Sequence, residues 1–521
     1  MNEKDLLHTR FLKAAKRHWS SLCMADSTGK ELNYGQALTA ALLLSRQLGK
    51  HCAGEQKVGI LLPSSVGGAL ANIALLFAGK IPVNLNFTVG REALESAIRQ
   101  CAMRTIITSR AFVSQANLEP PGGAIFLEDL FQKAKPIEKL FTPCVARFFP
   151  GRLLRALCQP LDSNSLATVI FSSGSSGEPK GVMLSHKAIL ANIDAVAQLF
   201  PLNATDRMLG VIPFFHAFGF TMTLWFPLLL GLGTVYHSKP LEAKTIGDLC
   251  FQHKATILCS TPTFYLSYIR GVAAQKFSSL RYALAGAEKL RAPIAAEFKK
   301  KIGLDLLEGY GCTEMGPVVS VNRPKTAAES CGAGFKAGTV GRPVPGVAVK
   351  VVDPVTSEEL PRGSQGVLCV RGPSRMLGYL GRPDATAQVL RDGWYITGDI
   401  ASIDEDGFIT ISDRLSRFSK IAGEMVPHSK VEEAVNQILK DSACAVASLP
   451  DAHRGERLVV FYTHQQITPE ELWDNLSRTE LPRLWLPKRE DIHRIDSIPL
   501  LGSGKIDLNR IKAVALRMAN S

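Results

Sequence analysis

No CxxC pair occurs among the 11 cysteines, which are scattered from Cys23 to Cys444. A zinc site or a disulfide framework is therefore not expected, and a reducing interior is. Aromatic residues make up only 7%, and the net charge of +13 comes without an arginine-rich arm or a lysine tract. Nucleic acid is accordingly not an expected partner. The first residues, MNEKDLLHTRFLKAAKRHW, lack the apolar core and small-residue cleavage site of a signal peptide, which predicts a cytoplasmic location. One stretch, Met208 to Tyr236, has no Asp, Glu, Lys or Arg and is long enough to span a bilayer. Its Pro213, Pro227, His216 and several glycines favour two elements of a buried core instead. Repeats and low-complexity segments are absent too.

What is present is an ordinary globular composition, 46% apolar and 21% charged over 521 residues. That length suggests about three structural units. The first part alternates strand-like and helical runs: Lys57–Pro63, Gly67–Ala78, Arg104–Thr108, Ala167–Phe171, then Ser185–Leu199 with Ser185 as N-cap. The pattern predicts an α/β class with largely buried strands. From about Gly338 short strands with Gly/Pro turns predict a mostly β subdomain. The expected division is 1–337, 338–413 and a small α/β C-terminal domain over 414–521, hinged near Asp413–Ser416. A second surface candidate is 131–158, with six Lys/Arg against Glu138 and interleaved Leu and Phe. Such a stretch either lies on an anionic membrane surface or packs its apolar side on its own domain.

Phe171–Gly181 reads FSSGSSGEPKG, after the strand ATVIF and before the helix at Ser185. Gly174, Gly177 and Gly181 permit a tight path on which amides can point at phosphate oxygens. Ser172, Ser173, Ser175 and Ser176 add hydroxyl donors, and Lys180 adds a charge. It is not a Walker A loop, because Lys180 follows Pro179 and no Ser/Thr follows it. Gly502-Ser503-Gly504-Lys505 also fails that pattern, since Ile506 replaces the hydroxyl residue.

The loop resembles the signature of the adenylate-forming enzymes, which include acyl-CoA synthetases, luciferase and peptide-synthetase adenylation domains. The resemblance continues in order through PFFHAFG (213–219), AGAEKL (285–290), EGYGCTE (308–314), GVLCVRGPSRMLGYL (366–380), WYITGD (394–399), DRLSRFSKIAGEMV (413–426) and PLLGSGKID (499–507). It implies a large N-terminal domain hinged to a mobile C-terminal lid, and activation of a carboxylate by ATP as an acyl-adenylate before transfer to a thiol. By resemblance Glu314 is the Mg²⁺ ligand, and Thr313 contacts the α-phosphate. Tyr310 and Gly311 meet the adenine, and Gly286, Ala287 and Glu288 line base and ribose. Asp399 and Arg414 take the ribose hydroxyls, His216 orients the entering carboxylate, and Lys505 bridges carboxylate and α-phosphate. Ser416 stands at the pivot, where the family carries Asp or Lys, and Lys420 and Gly423 line a thiol tunnel.

Within the family the likeness extends to the synthetase part of bacterial bifunctional 2-acylglycerophosphoethanolamine acyltransferase/acyl-[acyl-carrier-protein] synthetases. None of the 11 histidines is followed five residues on by Asp, so the HxxxxD acyltransferase signature is missing and a stand-alone synthetase is expected. The implied substrates are a medium or long fatty acid, accommodated by the run around His216 if that run is a channel and not plain core, and acyl carrier protein. Arg483, Lys488, Arg489 and Arg494 are candidate docking residues for that acidic partner. Coenzyme A is anionic as well and remains the alternative acceptor. A catalytically dead adenylate-binding protein is a further alternative, opposed by intact Lys180, Glu314, Asp399, Arg414 and Lys505.

Overall fold

The computed structural model describes residues 5–133, 135–151, 154, 161–172, 179–324, 334–422, 424–440, 444–451, 453–499 and 506–519. The expected site residues Ser173, Gly174, Ser175, Ser176, Gly177, Gly423 and Lys505 lie outside them; for Ser416 the backbone alone is described.

A nine-stranded sheet carries the large N-terminal domain. Six of its strands run parallel, in the order Leu306–Gly311, Tyr282–Ala285, Ile257–Ser260, Arg207–Gly210, Gly233–Tyr236 and Leu22–Asp26. The strands Ile257–Ser260, Tyr282–Ala285 and Gly233–Tyr236 are buried at every residue, as apolar strands covered on both faces by helices should be. A second, four-stranded parallel sheet orders Ile81–Asn84, Lys57–Ile60, Ile106–Thr108 and Ala124–Phe126. The expected helices form at Val66–Phe77 and His186–Ala197. Each is capped by a serine: Ser65 Oγ accepts from Gly68 N, and Ser185 Oγ from Ala188 N.

The glycine-rich segment departs from the expected strand-to-helix loop. Leu166–Ser172 is followed by a second strand, Lys180–Ser185, antiparallel to it, so residues 173–179 connect a β-hairpin. The repeated Val/Met/Leu of GVMLS favour that strand before Ser185 starts the helix. The uncharged run at 208–236 also differs from two elements. It makes the end of the strand Arg207–Gly210, a π-helix Gly219–Trp225 continuing into helix Phe226–Leu230, and the strand Gly233–Tyr236. Nearly all of it is buried, and among the described residues no helix is long and apolar enough to cross a membrane.

A five-stranded antiparallel sheet follows, built on Gln365–Arg371 and Trp394–Ile403, with Ile409–Arg414 on its flank. Two short strands of this region pair outside it. Arg342–Pro343 joins the nine-stranded sheet, and Gly378–Tyr379 joins the hairpin at Val182–Met183. The C-terminal domain has its own five-stranded sheet, helices at His428–Leu439 and Pro469–Leu476, and a separate core around Val431, Val435, Val446 and Val460.

Candidate active site

Open parallel sheets bind ligands at the carboxyl ends of their strands. Here three strands of the parallel set, two of them adjacent and the third one strand away, deliver expected site residues at that edge. Arg207–Gly210 leads into His216, Tyr282–Ala285 into Gly286–Glu288, and Leu306–Gly311 ends in Tyr310 and Gly311. His216 is exposed inside an otherwise buried run, with its ring 4.7 Å from that of Phe215, so it is not a core histidine. Gly219, three residues on, lets the π-helix start against Pro213: a Cβ there would come within 2.1 Å of the Pro213 oxygen. Ala287 holds a left-handed φ of 67°, uncommon for a residue with a Cβ and the kind of outlier that clusters at ligand sites. Glu288 accepts from Thr263 N at 3.2 Å and from Thr263 Oγ1 at 2.6 Å.

Asp399 and Arg414 face each other directly across the antiparallel pair Trp394–Ile403 and Ile409–Arg414. That register places Arg414 Nε 3.3 Å from Asp399 Oδ1. The hydroxyl of Tyr310 donates to the other carboxylate oxygen of Asp399, and Thr397 Oγ1 accepts from Asp399 N. Burial raises the Asp399 carboxyl above its ordinary range, against the pull of Arg414 and Tyr310. Burial also pushes the Tyr310 phenol up. The three side chains make a polar floor beside a glycine that cannot be replaced, since a Cβ on Gly311 would meet the Pro317 oxygen at 2.2 Å.

Thr313 and Glu314 lie in a single 3-10 turn, Thr313–Met315, and both are half-buried. Tyr379 Oη donates to Glu314 Oε1 at 2.9 Å, and the Lys180 ammonium sits 5.2 Å from the centre of the Tyr379 ring. Lys180 and Ser172 are cross-strand partners in the hairpin, so both stand where the hairpin connection begins. Tyr379 thus joins the hairpin to the Glu314 turn. The sequence reading missed it as a site residue, although it lies inside the GVLCVRGPSRMLGYL motif. Glu308 was missed also. It is buried, accepts from Leu290 N at 2.9 Å, and so ties the Gly286–Leu290 loop to the neighbouring strand. Burial pushes its carboxyl up to about 7.

An apolar cavity of about 80 Å³ is lined by Gly286, Tyr310 and Gly311 of this edge together with Val196, Met222 and Leu284. Val196, Met222 and Leu284 also line a smaller void of about 10 Å³, walled by Phe200, Leu202 and Tyr282. Val196 comes from the helix His186–Ala197 and Met222 from the π-helix Gly219–Trp225, while most of the lining comes from 284–287, 307–311 and 317–321. Thr221 Oγ1 of the π-helix donates to Gly316 O at 2.9 Å, tying the cavity wall to the Glu314 turn.

At the domain boundary Arg417 lies next to Ser416, pairs with Glu432 and stands 3.7 Å from Asp413. Arg417 is the residue there that the sequence reading overlooked. Lys289 of the Gly286–Leu290 loop reaches Glu433 of the C-terminal domain at 3.2 Å. Lys420 is exposed, with its backbone N–H on Glu456. Three of the four expected docking cations are engaged within their own domain. Lys488 pairs with Asp451 at 3.1 Å, Arg489 with Asp474 at 2.8 Å, and Arg494 donates to Gln465 O at 3.0 Å. Arg483 is exposed.

Residues 11–380 match the family model described as "AMP-binding enzyme". The long-chain-fatty-acid–CoA ligase of Bacillus subtilis (strain 168) is 30% identical over 520 residues, covering 93% of this chain and 90% of that protein. The feruloyl-CoA synthase of an Amycolatopsis species is 34% identical over 383 residues, 70% of this chain and 75% of that one. Among solved structures, o-succinylbenzoate CoA synthetase from Bacillus subtilis with its acyl-adenylate intermediate superposes with a TM-score of 0.83 at 20% identity, covering 97% and 98% of the two chains. ATP-bound MatB from Rhodopseudomonas palustris gives 0.81 at 22% identity, over 99% of each chain. By the family match over residues 11–380 and the full-length relative, the chain belongs to the AMP-binding enzyme family, as an AMP-forming acid–thiol ligase.

Proposed function

We propose that the protein is a fatty acyl-CoA synthetase acting on medium- or long-chain acids. The observation that carries this reading is the apolar cavity shared by Gly286 and Tyr310 with Val196, Met222 and Leu284. It adjoins the polar adenylate residues, and nothing charged lines it. Met222 in its lining is an unbranched, adaptable side chain that can yield to a longer ligand. The acceptor expected from the sequence was acyl carrier protein. Full-length relatives are CoA ligases, and two of the four basic residues proposed to dock a carrier protein, Lys488 and Arg489, are ion-paired with acids of their own domain. Both points favour coenzyme A.

In this reading the ribose hydroxyls bind the Asp399 carboxylate, held by Tyr310 and Arg414. Adenine lies on the Tyr310 ring between Gly311 and the Gly286–Glu288 loop. Lys180, Ser172 and the connecting residues 173–177 receive the phosphates, and Thr313 meets the α-phosphate. A half-buried carboxylate beside a polyphosphate fits Mg²⁺, which takes one or two carboxylates plus phosphate and water oxygens; Glu314 would hold it. Bound there, Mg²⁺ would neutralise charge developing on the phosphates. His216 orients the acid so that its carboxylate oxygen attacks the α-phosphorus and pyrophosphate leaves. Lys505 supplies the point charge bridging the two anions. The C-terminal domain, 414–521, then turns about Ser416 against the body formed by 1–337 and 338–413. Lys420 and Gly423 line the path by which a thiol, losing its proton to solvent, attacks the acyl carbon and releases AMP. A cytoplasmic location suits these substrates.

The test is a thioester assay with ATP, Mg²⁺ and labelled palmitate, with coenzyme A and holo-acyl carrier protein offered in parallel. Palmitoyl-CoA formation supports the proposal. Acylation of the carrier protein alone overturns the acceptor, and turnover with ferulate but no fatty acid overturns the substrate class.

A further inference from the structure

Helix Pro136–Phe148 is apolar on the wrong side for a surface helix. Thr142 and Ala146 are buried against the body of the protein, and Glu138 holds the same side through Gln47 Nε2 at 3.3 Å. The outward side carries Ile137, Leu140, Phe141, Cys144 and Phe148, spaced i, i+3, i+4, i+7 and i+11, which is one stripe of an α-helix. Leu140 is 69% exposed and Phe148 is 79% exposed. With Phe149, this short segment supplies five of the 11 large apolar side chains that stand exposed among the described residues. Packing on its own domain, the alternative open from the sequence, accounts for Leu154, which is buried in the core, but not for this stripe.

The rim of the stripe is cationic. Lys133, Lys135, Lys139 and Arg147 are exposed. Lys16, on the neighbouring helix Leu7–Arg17, donates to Arg147 O and Phe149 O, both at 2.9 Å, and Arg17 follows it at the surface. Glu138 is the single acid of this segment, and it is turned inward to Gln47 and to the Lys135 amide. Aromatic and aliphatic side chains projecting from a basic collar suit an anionic lipid surface, where the rings enter the acyl boundary and the cations meet headgroups. A second copy of the chain would bring a like-charged collar against this one, which opposes pairing.

We infer that the outward face of helix 136–148 docks on an anionic lipid bilayer. Its use rests on the fatty-acid reading, because long-chain acids partition into bilayers and an enzyme seated there meets its substrate at high local concentration. The docking itself rests on the helix alone.

The experiment is co-sedimentation with vesicles of phosphatidylcholine, with and without phosphatidylglycerol. It uses the full chain and the triple variant Leu140→Gln/Phe141→Gln/Phe148→Gln. All three positions are exposed, so the fold is retained, and circular dichroism with thermal melting verifies that. The wild type is expected to bind anionic vesicles, to release them in about 0.5 M salt, and to ignore phosphatidylcholine alone. The variant is expected to bind at least roughly 10-fold more weakly while keeping ATP–pyrophosphate exchange on water-soluble octanoate. Equal binding by variant and wild type overturns the inference, as does no binding by the wild type. A wild-type dimer in sedimentation velocity that the variant splits assigns the stripe to a second copy and overturns it too. Vesicle binding without fatty-acid-dependent exchange would defeat the fatty-acid reading and leave the docking standing.

Discussion

The Tyr379 hydroxyl donates to Glu314 at 2.9 Å while the Lys180 ammonium lies over the same ring, 5.2 Å from its centre. One tyrosine therefore fixes the spacing between a cation of the glycine-rich hairpin and the carboxylate proposed to hold Mg²⁺. Tyr379 reaches this place because its short strand pairs with Val182 in the hairpin. The Tyr379→Phe variant keeps the ring under Lys180 and removes only the hydroxyl. A hydrogen bond to a charged group contributes about 1.5–3 kcal/mol, so exchange activity should fall roughly 10- to 100-fold. The apparent Mg²⁺ requirement should rise and the melting temperature should hardly move. A magnesium titration of ATP–pyrophosphate exchange checks this.

Met222 borders both the cavity and the smaller void. Met222→Ala should join them and shift preference to longer acids, whereas Met222→Trp should block the passage and favour short ones. Each methylene of fit is worth about 1–3 kcal/mol, so a change of two carbons should alter relative kcat/KM by at least roughly 10-fold. A chain-length series from octanoate to stearate reads the shift directly.

Glu308 gives a pH signature in stability. Its folded carboxyl is pushed up to about 7 by burial, above the ordinary value of 4.5. Between those values the folded state binds more protons than the unfolded one. The stability it contributes is complete below the unfolded value and is lost as pH rises through about 7, with a slope of at most about 1.4 kcal/mol per pH unit. Glu308→Gln removes the titration and can still accept from Leu290 N. Urea melts of the two proteins at pH 5 to 8 should show the variant gaining on the wild type up to about pH 7 and running parallel above it.

His8 and His186 act in the opposite direction. Their rings lie 5.9 Å apart in the core, where burial lowers His8 to about 4 and His186 to about 3. His186 Nδ1 accepts from Leu7 N at 3.3 Å, which requires that nitrogen to be unprotonated. The unfolded chain takes protons here first, so stability present above the ordinary value of 6.5 falls as the solution is acidified towards 4. His8→Leu should flatten that acid limb, as monitored by thermal melts between pH 4 and 7.

Much of the candidate site could be named from the sequence because its motifs follow one another in order along the chain. Gly286, Tyr310 and Gly311 fall at the ends of parallel strands, Glu314 in the turn that follows one, and Asp399 inside the strand Trp394–Ile403. The capped helix after Ser185 was legible from its serine and its apolar period. What escaped depends on pairing across distance. The strand Lys180–Ser185 is fixed by its ladder with Leu166–Ser172, so the phosphate segment became a hairpin connection. Tyr379 is two residues of strand on an edge that sequence alone does not identify. Arg417 looks like a surface cation until Glu432 and Asp413 are brought to it. The exposed stripe of helix 136–148 was visible only as a basic apolar mixture, because which side packs inward is decided by Thr142, Ala146 and the helix they meet.

The most direct measurement of the central claim is ATP–[³²P]pyrophosphate exchange across a series of carboxylic acids, with Lys505→Ala as the control. Exchange should depend on Mg²⁺ and on a medium- or long-chain fatty acid and should collapse in the variant. Absence of exchange with every fatty acid, or exchange that Lys505→Ala leaves intact, would contradict the claim.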